Sequence, residues 1–266
     1  MTEFDSGYSH EPYRSLCGNA PSKADYPSAH FRFEWGPVFH RGRLDGSARV
    51  LVIGQDPAQH ETIARRILVG AAGHRIQGFL AKLGIDHSYV MINTFLYSVY
   101  GNLAASSIKA PGIAGYRNQW LDALLPSNVQ VVVALGDAAD AAWQLWLAHR
   151  AADPNLVYAK IHHPTWPQSA SAHGSGSAAA LTKQMLVQWN AAIQQLRPAL
   201  SQPDVTVPFQ PYGDAFQAAD LKPIPLADLP AGSPDWMTGA NWAQRTGATP
   251  TAKRFTITVT VPPPGR

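Results

Sequence analysis

Val50-Leu51-Val52-Ile53-Gly54-Gln55-Asp56-Pro57-Ala58-Gln59-His60-Glu61, VLVIGQDPAQHE, joins four apolar residues to a glycine and then to a polar cluster built around Asp-Pro. A short unbroken apolar run reads as a strand buried on both faces. Three further runs repeat the pattern: Tyr89–Ile92 ending at Asn93, Val129–Leu135 ending at Gly136-Asp137, and Leu156–Ile161 ending at His162-His163-Pro164. Helical spacing fills the intervals. Ile76, Phe79, Leu80 and Leu83 share a face before Gly84, and Ile113, Tyr116, Trp120, Leu121 and Leu124 share one before Pro126. Ala138–His149 reads as helix, as does the stretch carrying Leu181, Met185, Trp189, Ile193 and Leu196 ahead of Pro198. Strand alternating with helix predicts an α/β fold, a parallel sheet covered by helices, with ligands beyond the carboxyl ends of the strands.

Those ends carry the chemistry. Gln55 and Asp56 follow the first strand, Asn93 the second, and His162 and His163 the fourth. In a parallel sheet they share one rim, where a carboxylate, an amide and an imidazole can orient water, read a hydrogen-bonding edge and stabilise a departing anion. Each residue alone also has a structural reading: Asp56-Pro57 as a turn, Asn93 as a cap, His162-His163-Pro164 as an ordinary loop. A phosphate-cradling loop is not supported, since neither a Gly-Lys-Ser/Thr ending nor GxGxxG occurs. A metal site from Asp56, His60, His162 and His163 would draw on separate segments without ligand-like spacing, so no metal is expected.

Composition sets the frame. The 266 residues are 45% apolar, with 8 Trp, 9 Tyr and 9 Phe, enough for a sizeable core. A net charge of +3 permits a polyanionic partner without requiring one. Cys17, the one cysteine, excludes an internal disulfide and a four-cysteine metal or iron–sulfur site. With neither a signal peptide nor a membrane-spanning run, the expectation is a cytoplasmic monomer that does not enter a membrane. Three regions are expected: residues 1–47 as a wrapping segment of loops and a short helix, 48–198 as the catalytic domain, and 199–266 as an extension packed on the core or partly disordered. That extension holds half of the 22 prolines, and its Phe255–Val261 alternates like an edge strand.

The ordered motifs resemble the uracil-DNA glycosylase superfamily over roughly residues 48–197. Gly54-Gln55-Asp56-Pro57 is similar to its first motif and His163-Pro164-Thr165 to its second. Val69-Gly70-Ala71-Ala72-Gly73, Val90-Met91-Ile92-Asn93 and Val132-Val133-Ala134-Leu135-Gly136 fall in matching places between them. The resemblance implies a three-layer α/β/α sandwich around a central four-stranded parallel sheet. It implies hydrolysis of the bond between uracil and deoxyribose on a nucleotide flipped out of single- or double-stranded DNA, leaving an abasic-site product. Asp56 would stabilise the sugar cation and position water, and His163 would donate to uracil O2. Asn93 would pair with O4 and N3–H, and Gln55 would bind uracil through its backbone beside Gly54. Ala58 stands where one branch has the Tyr that shuts out thymine's methyl, so exclusion must come from elsewhere. Leu68 stands where the iron–sulfur branch has a stacking Phe, and that branch's cysteines are absent, so no cluster and no cofactor is expected.

After the second motif, Trp166 is the expected wedge into the gap left by the flipped base. Thr165, Pro164 and Ser169 are expected at the DNA, with Arg65, Arg66, Arg75 and Lys109 as further backbone contacts. The competing reading is a non-catalytic DNA or abasic-site binding protein on the same scaffold.

Overall fold

The four apolar runs form the middle of the molecule. The computed structural model describes residues 7–101, 103, 105–150, 153 and 155–263. In chain order its elements are α1 (Tyr13–Gly18), β1 (His40–Gly42), β2 (Val50–Gly54), α2 (Gln59–Ala64), α3 (Ala71–Lys82), β3 (Tyr89–Asn93), α4 (Pro111–Leu124), β4 (Val131–Leu135), α5 (Asp137–Leu147), β5 (Val157–Ile161), α6 (Trp166–Ala172), α7 (Ala178–Leu196), β6 (Ala243–Arg245), α8 (Pro250–Phe255) and β7 (Ile257–Val259). The main sheet has the order β1-β3-β2-β4-β5. Strands β2 to β5 run parallel, with Gly54 opposite Asn93 and Leu135 opposite Ile161. The chain steps from β2 to β3 on one side and to β4 on the other, so the switch point where crevices form lies between β2 and β4.

Side chains alternate across the sheet. Leu51, Ile53, Val90, Ile92, Val132 and Ala134 pack on one face with Ile113, Trp120 and Leu121 of α4 and Trp143 of α5. Val50, Val52, Met91, Val131 and Val133 pack on the other with Ile76, Phe79 and Leu80 of α3 and Met185, Trp189 and Ile193 of α7. Most of these side chains are closed off from water, and each contributes roughly 1.5–3 kcal/mol of transfer free energy. Helices thus cover both faces of the sheet.

The sheet has five strands where four were expected. The addition is β1, antiparallel to β3 with Arg41 opposite Met91, from the segment read as loops and a short helix. His40-Arg41-Gly42 has no apolar pattern to announce a strand. It is buried because the Arg41 guanidinium finds a full set of partners: Asp228 Oδ2 at 3.0 Å, Ile67 O at 2.8 Å, Gln77 Oε1 at 3.1 Å and Tyr89 Oη at 3.3 Å.

From residue 199 onward the chain folds back over the core. Asp204 accepts from Arg49 at 2.8 Å and from the N–H groups of Asp86, His87 and Ser88. Asp220 meets Lys82 at 2.8 Å, and Asp228 meets Arg41 and Arg43. Ile224, Leu229, Trp242 and Ala243 make a small third core with Ala64 and Val69. The alternating stretch at the end splits: Phe255 closes α8, and Ile257–Val259 pairs antiparallel with β6 outside the main sheet. Among the described residues, no helix is long and apolar enough to cross a membrane.

Candidate active site

Strand β2 ends in Gly54, and the chain turns sharply through Gln55, Asp56 and Pro57 before α2. The turn is fastened to its neighbour: Thr94 N–H donates to Gly54 O at 2.9 Å and Phe95 N–H to Gln55 O at 2.8 Å. A Cβ at position 54 would lie 2.3 Å from Asn93 Oδ1, so glycine there leaves room for the Asn93 side chain. The Asn93 amide therefore lies across the end of β2, beside the Asp56 turn. Its Nδ2 is buried and has no hydrogen-bond partner. Leaving such a donor unmade costs about 1–3 kcal/mol, which an incoming acceptor would recover.

Asp56 is partly accessible but surrounded by protein. Its Oδ2 accepts the Val99 N–H at 2.8 Å and its Oδ1 the Gln55 side-chain amide at 3.1 Å. Burial pushes its carboxyl above the ordinary range; the Val99 and Gln55 bonds, then the fields of Arg32 and Arg245, pull it partway back. The result is a carboxylate that is oriented, partly desolvated and still open on one side.

His163 follows β5 on the far side of β4. Just past β4, Gly136 has a positive φ of 83°, and a Cβ there would lie 3.6 Å from His163 Cβ. Thr165 N–H donates to His163 Nδ1 at 3.3 Å, and Thr165 Oγ1 lies 3.0 Å from the same nitrogen. With Nδ1 accepting, Nε2 carries the proton and is the donor. Burial, and then the Arg75 charge, lower the imidazole to about 4, so it is neutral at physiological pH.

Glu61 sits behind the turn, its Oε2 accepting the Ala58 N–H at 3.0 Å at the start of α2. Burial raises it to about 7, with the Asp56 charge adding to the rise. This second carboxyl was not among the expected site residues; a Glu three residues after Ala58, at the start of α2, was the available signal.

The remaining expected residues divide. Ala58 is exposed beside the turn. Leu68 is only 5% exposed, packed among Val38, Ile67 and Ile76, and holds a left-handed backbone at φ 53° that a leucine adopts only when its surroundings impose it. Thr165 to Ser169, read as a loop, is the start of helix α6. Trp166 stacks on His162 with ring centroids 3.8 Å apart and planes 9° from parallel, and packs against the core below α7. Pro164 is buried while Thr165 and Ser169 are exposed. Arg65 donates to Trp35 O at 2.9 Å and Pro37 O at 2.6 Å, and Arg75 donates to Pro164 O and to Gln168 at 3.2 Å, so both fasten loops. Lys109 is exposed.

The histidines considered for a metal do not converge with Asp56. His60 Nε2 accepts the Ala243 N–H at 3.1 Å with its ring edge-on to Trp242, and His162 is taken up by Trp166. Among the described residues, the trio spaced for a cation is Asp86, His87 and Asp204, whose Asp204 already anchors the returning chain.

No curated protein matches the chain. A family model described as the uracil DNA glycosylase superfamily matches residues 41–197, from β1 through the end of α7, and takes in the Asp56 turn, Asn93 and the His163 loop. An oriented carboxylate, an amide with an unused donor and a neutral imidazole at the carboxyl ends of parallel strands thus lie within the matched span, and the chain belongs to the uracil-DNA glycosylase superfamily.

Proposed function

We propose that the chain is a DNA glycosylase that hydrolyses the N-glycosidic bond of uracil flipped out of DNA, leaving an abasic site. The observation that carries this reading is the complementarity of the three groups on the rim. The glycosidic bond breaks with positive charge developing on the sugar and negative charge on the base. Asp56, ionised and held by Val99 and Gln55, faces the developing cation and holds the attacking water. His163 donates from Nε2 to the uracil oxygen that gains charge; a neutral imidazole does this without having to give up a proton. The unused Asn93 Nδ2 donates to uracil O4 while Oδ1 accepts N3–H. Cytosine offers the opposite pattern at both positions and leaves buried groups unpaired, which is the kind of mismatch that discriminates strongly.

Ala58 places no bulk where a methyl-excluding Tyr stands in one branch. Exclusion of thymine therefore has to come from another part of the pocket. The test is excision from oligonucleotides carrying uracil, thymine, hypoxanthine or xanthine, single- and double-stranded, followed by alkali. Strand cleavage at uracil is the expected result. Tight binding without base release would establish the non-catalytic alternative instead.

A further inference from the structure

The rim is flanked by a second constellation assembled from three separate segments. Arg32 Cζ lies 4.8 Å from the ring centre of Trp35 and 5.2 Å from that of Tyr100. Arg254 Cζ lies 4.5 Å from the other neighbour of the series, again Tyr100, and 5.1 Å from Phe255. Trp35, Arg32, Tyr100, Arg254 and Phe255 thus alternate ring and guanidinium in one ladder. It begins next to the catalytic carboxylate, since Val99, whose N–H holds Asp56, directly precedes Tyr100.

Three features of the ladder point to a polyanion carrying flat rings. The cations are not neutralised from within: among the described residues, Arg254 alone of Arg32, Arg245, Lys253 and Arg254 is paired with a carboxylate, Glu34 at 3.4 Å. Arg32 is 5% exposed, and its Nε is buried with no hydrogen-bond partner. At the outer end Phe255 is 59% exposed, with the Arg254 guanidinium over its ring. Arg245 and Lys253 are exposed nearby, and the fields of Arg245 and Arg254 both bear on Arg32. Exposed cations beside one open aromatic ring, Phe255, match what single-stranded nucleic acid offers, phosphates and bases that stack.

We propose that residues 243–255 form a DNA-holding arm beside the pocket, in which Arg245, Lys253 and Arg254 meet phosphates flanking the flipped nucleotide and Phe255 stacks on an unpaired base. The inference rests on the glycosylase reading of the adjoining site and adds to it a preference for single-stranded flanks.

The test separates the two claims by measuring binding apart from catalysis. A labelled uracil-free single strand and its duplex are titrated against the full chain by fluorescence anisotropy across a salt series. In the variant combining Arg245→Ala, Lys253→Ala and Phe255→Ala, affinity for the single strand should fall about tenfold or more. The slope of log K against log salt should become shallower by about 1.4, for two lost phosphate contacts. Phe255→Trp alone should bind at least as tightly as the parent, and a thermal melt of the triple variant should match it, because all three side chains are exposed. Unchanged single-strand binding in the triple variant overturns the proposal even where uracil is excised, as does a loss confined to the duplex. Loss of single-strand binding in a chain that releases no base sustains the arm and removes the glycosylase reading.

Discussion

The rim and the returning extension both place charged and polar groups at low exposure, and they treat them in opposite ways. In the extension every buried acid is consumed. Asp228 is saturated by Arg41, Arg43 and Tyr89, and Asp220 by Lys82 and its own turn. Asp204 is held well below the usual carboxylate range; burial opposes this, but the bonds from Ser88, His87 and Asp86 outweigh it. On the rim the same kinds of group are oriented but left with capacity: Asn93 Nδ2 has no partner, His163 keeps its proton on Nε2, and Asp56 is raised rather than lowered. Saturated groups hold structure, and groups held in place with a free donor or acceptor await a ligand.

Substitutions on the two sides should therefore have opposite signatures. Asp56→Asn should lower the rate of uracil excision about a thousandfold, within the range removed with a positioned acid or base. Its melting temperature should be unchanged or higher, since the wild-type chain pays to hold that charge; a marked drop would move Asp56 to the architectural side. Asp228→Ala should do the reverse. Stranding Arg41 in the core should cost about 3–5 kcal/mol in denaturant unfolding, while the folded fraction keeps its excision chemistry.

The pH profile sharpens the contrast. Asp56 must be ionised, and its folded carboxyl lies above the ordinary range, so excision should fall as pH drops through that raised value. Below it the loss should approach about tenfold per pH unit, as for any single protonation that abolishes activity. His163, at about 4, should add no step between pH 5 and 8. An acid limb that survives Asp56→Glu unmoved but disappears in His163→Gln would reverse these assignments.

Glu61 offers a smaller test. Its folded value is raised to about 7, so the stability it contributes is present below its unfolded value and is lost as pH rises towards 7. Glu61→Gln should remove that decline, a difference on the order of 3 kcal/mol between pH 4 and pH 8. The smallest effect is expected at Ser177, whose Oγ accepts the Ala180 N–H at 3.2 Å and caps α7; Ser177→Ala should cost about 1 kcal/mol and leave excision intact.

The parallel sheet was legible because strands buried on both faces must be continuously apolar, as Val50–Ile53 and Val131–Leu135 are. The rim was legible because strand ends in such a sheet share one edge. Strand β1 was not, because its burial depends on Asp228, far away in the sequence, and no local pattern encodes a partner at that distance. Trp166 followed the expected motif in sequence and departed from it in packing: Pro167 starts a helix there, and His162 offers a parallel ring. The ladder of Arg32, Tyr100 and Arg254 was invisible for the same reason as β1, since three unrelated segments supply it.

The most direct test is the mass of a uracil-containing oligonucleotide after incubation with the wild-type chain and with Asp56→Asn. The account predicts conversion by the wild type to a strand that has lost uracil and gained a hydroxyl, with free uracil recovered, and almost none by the variant. An intact oligonucleotide after exhaustive incubation with the wild-type chain, single- and double-stranded alike, would contradict it.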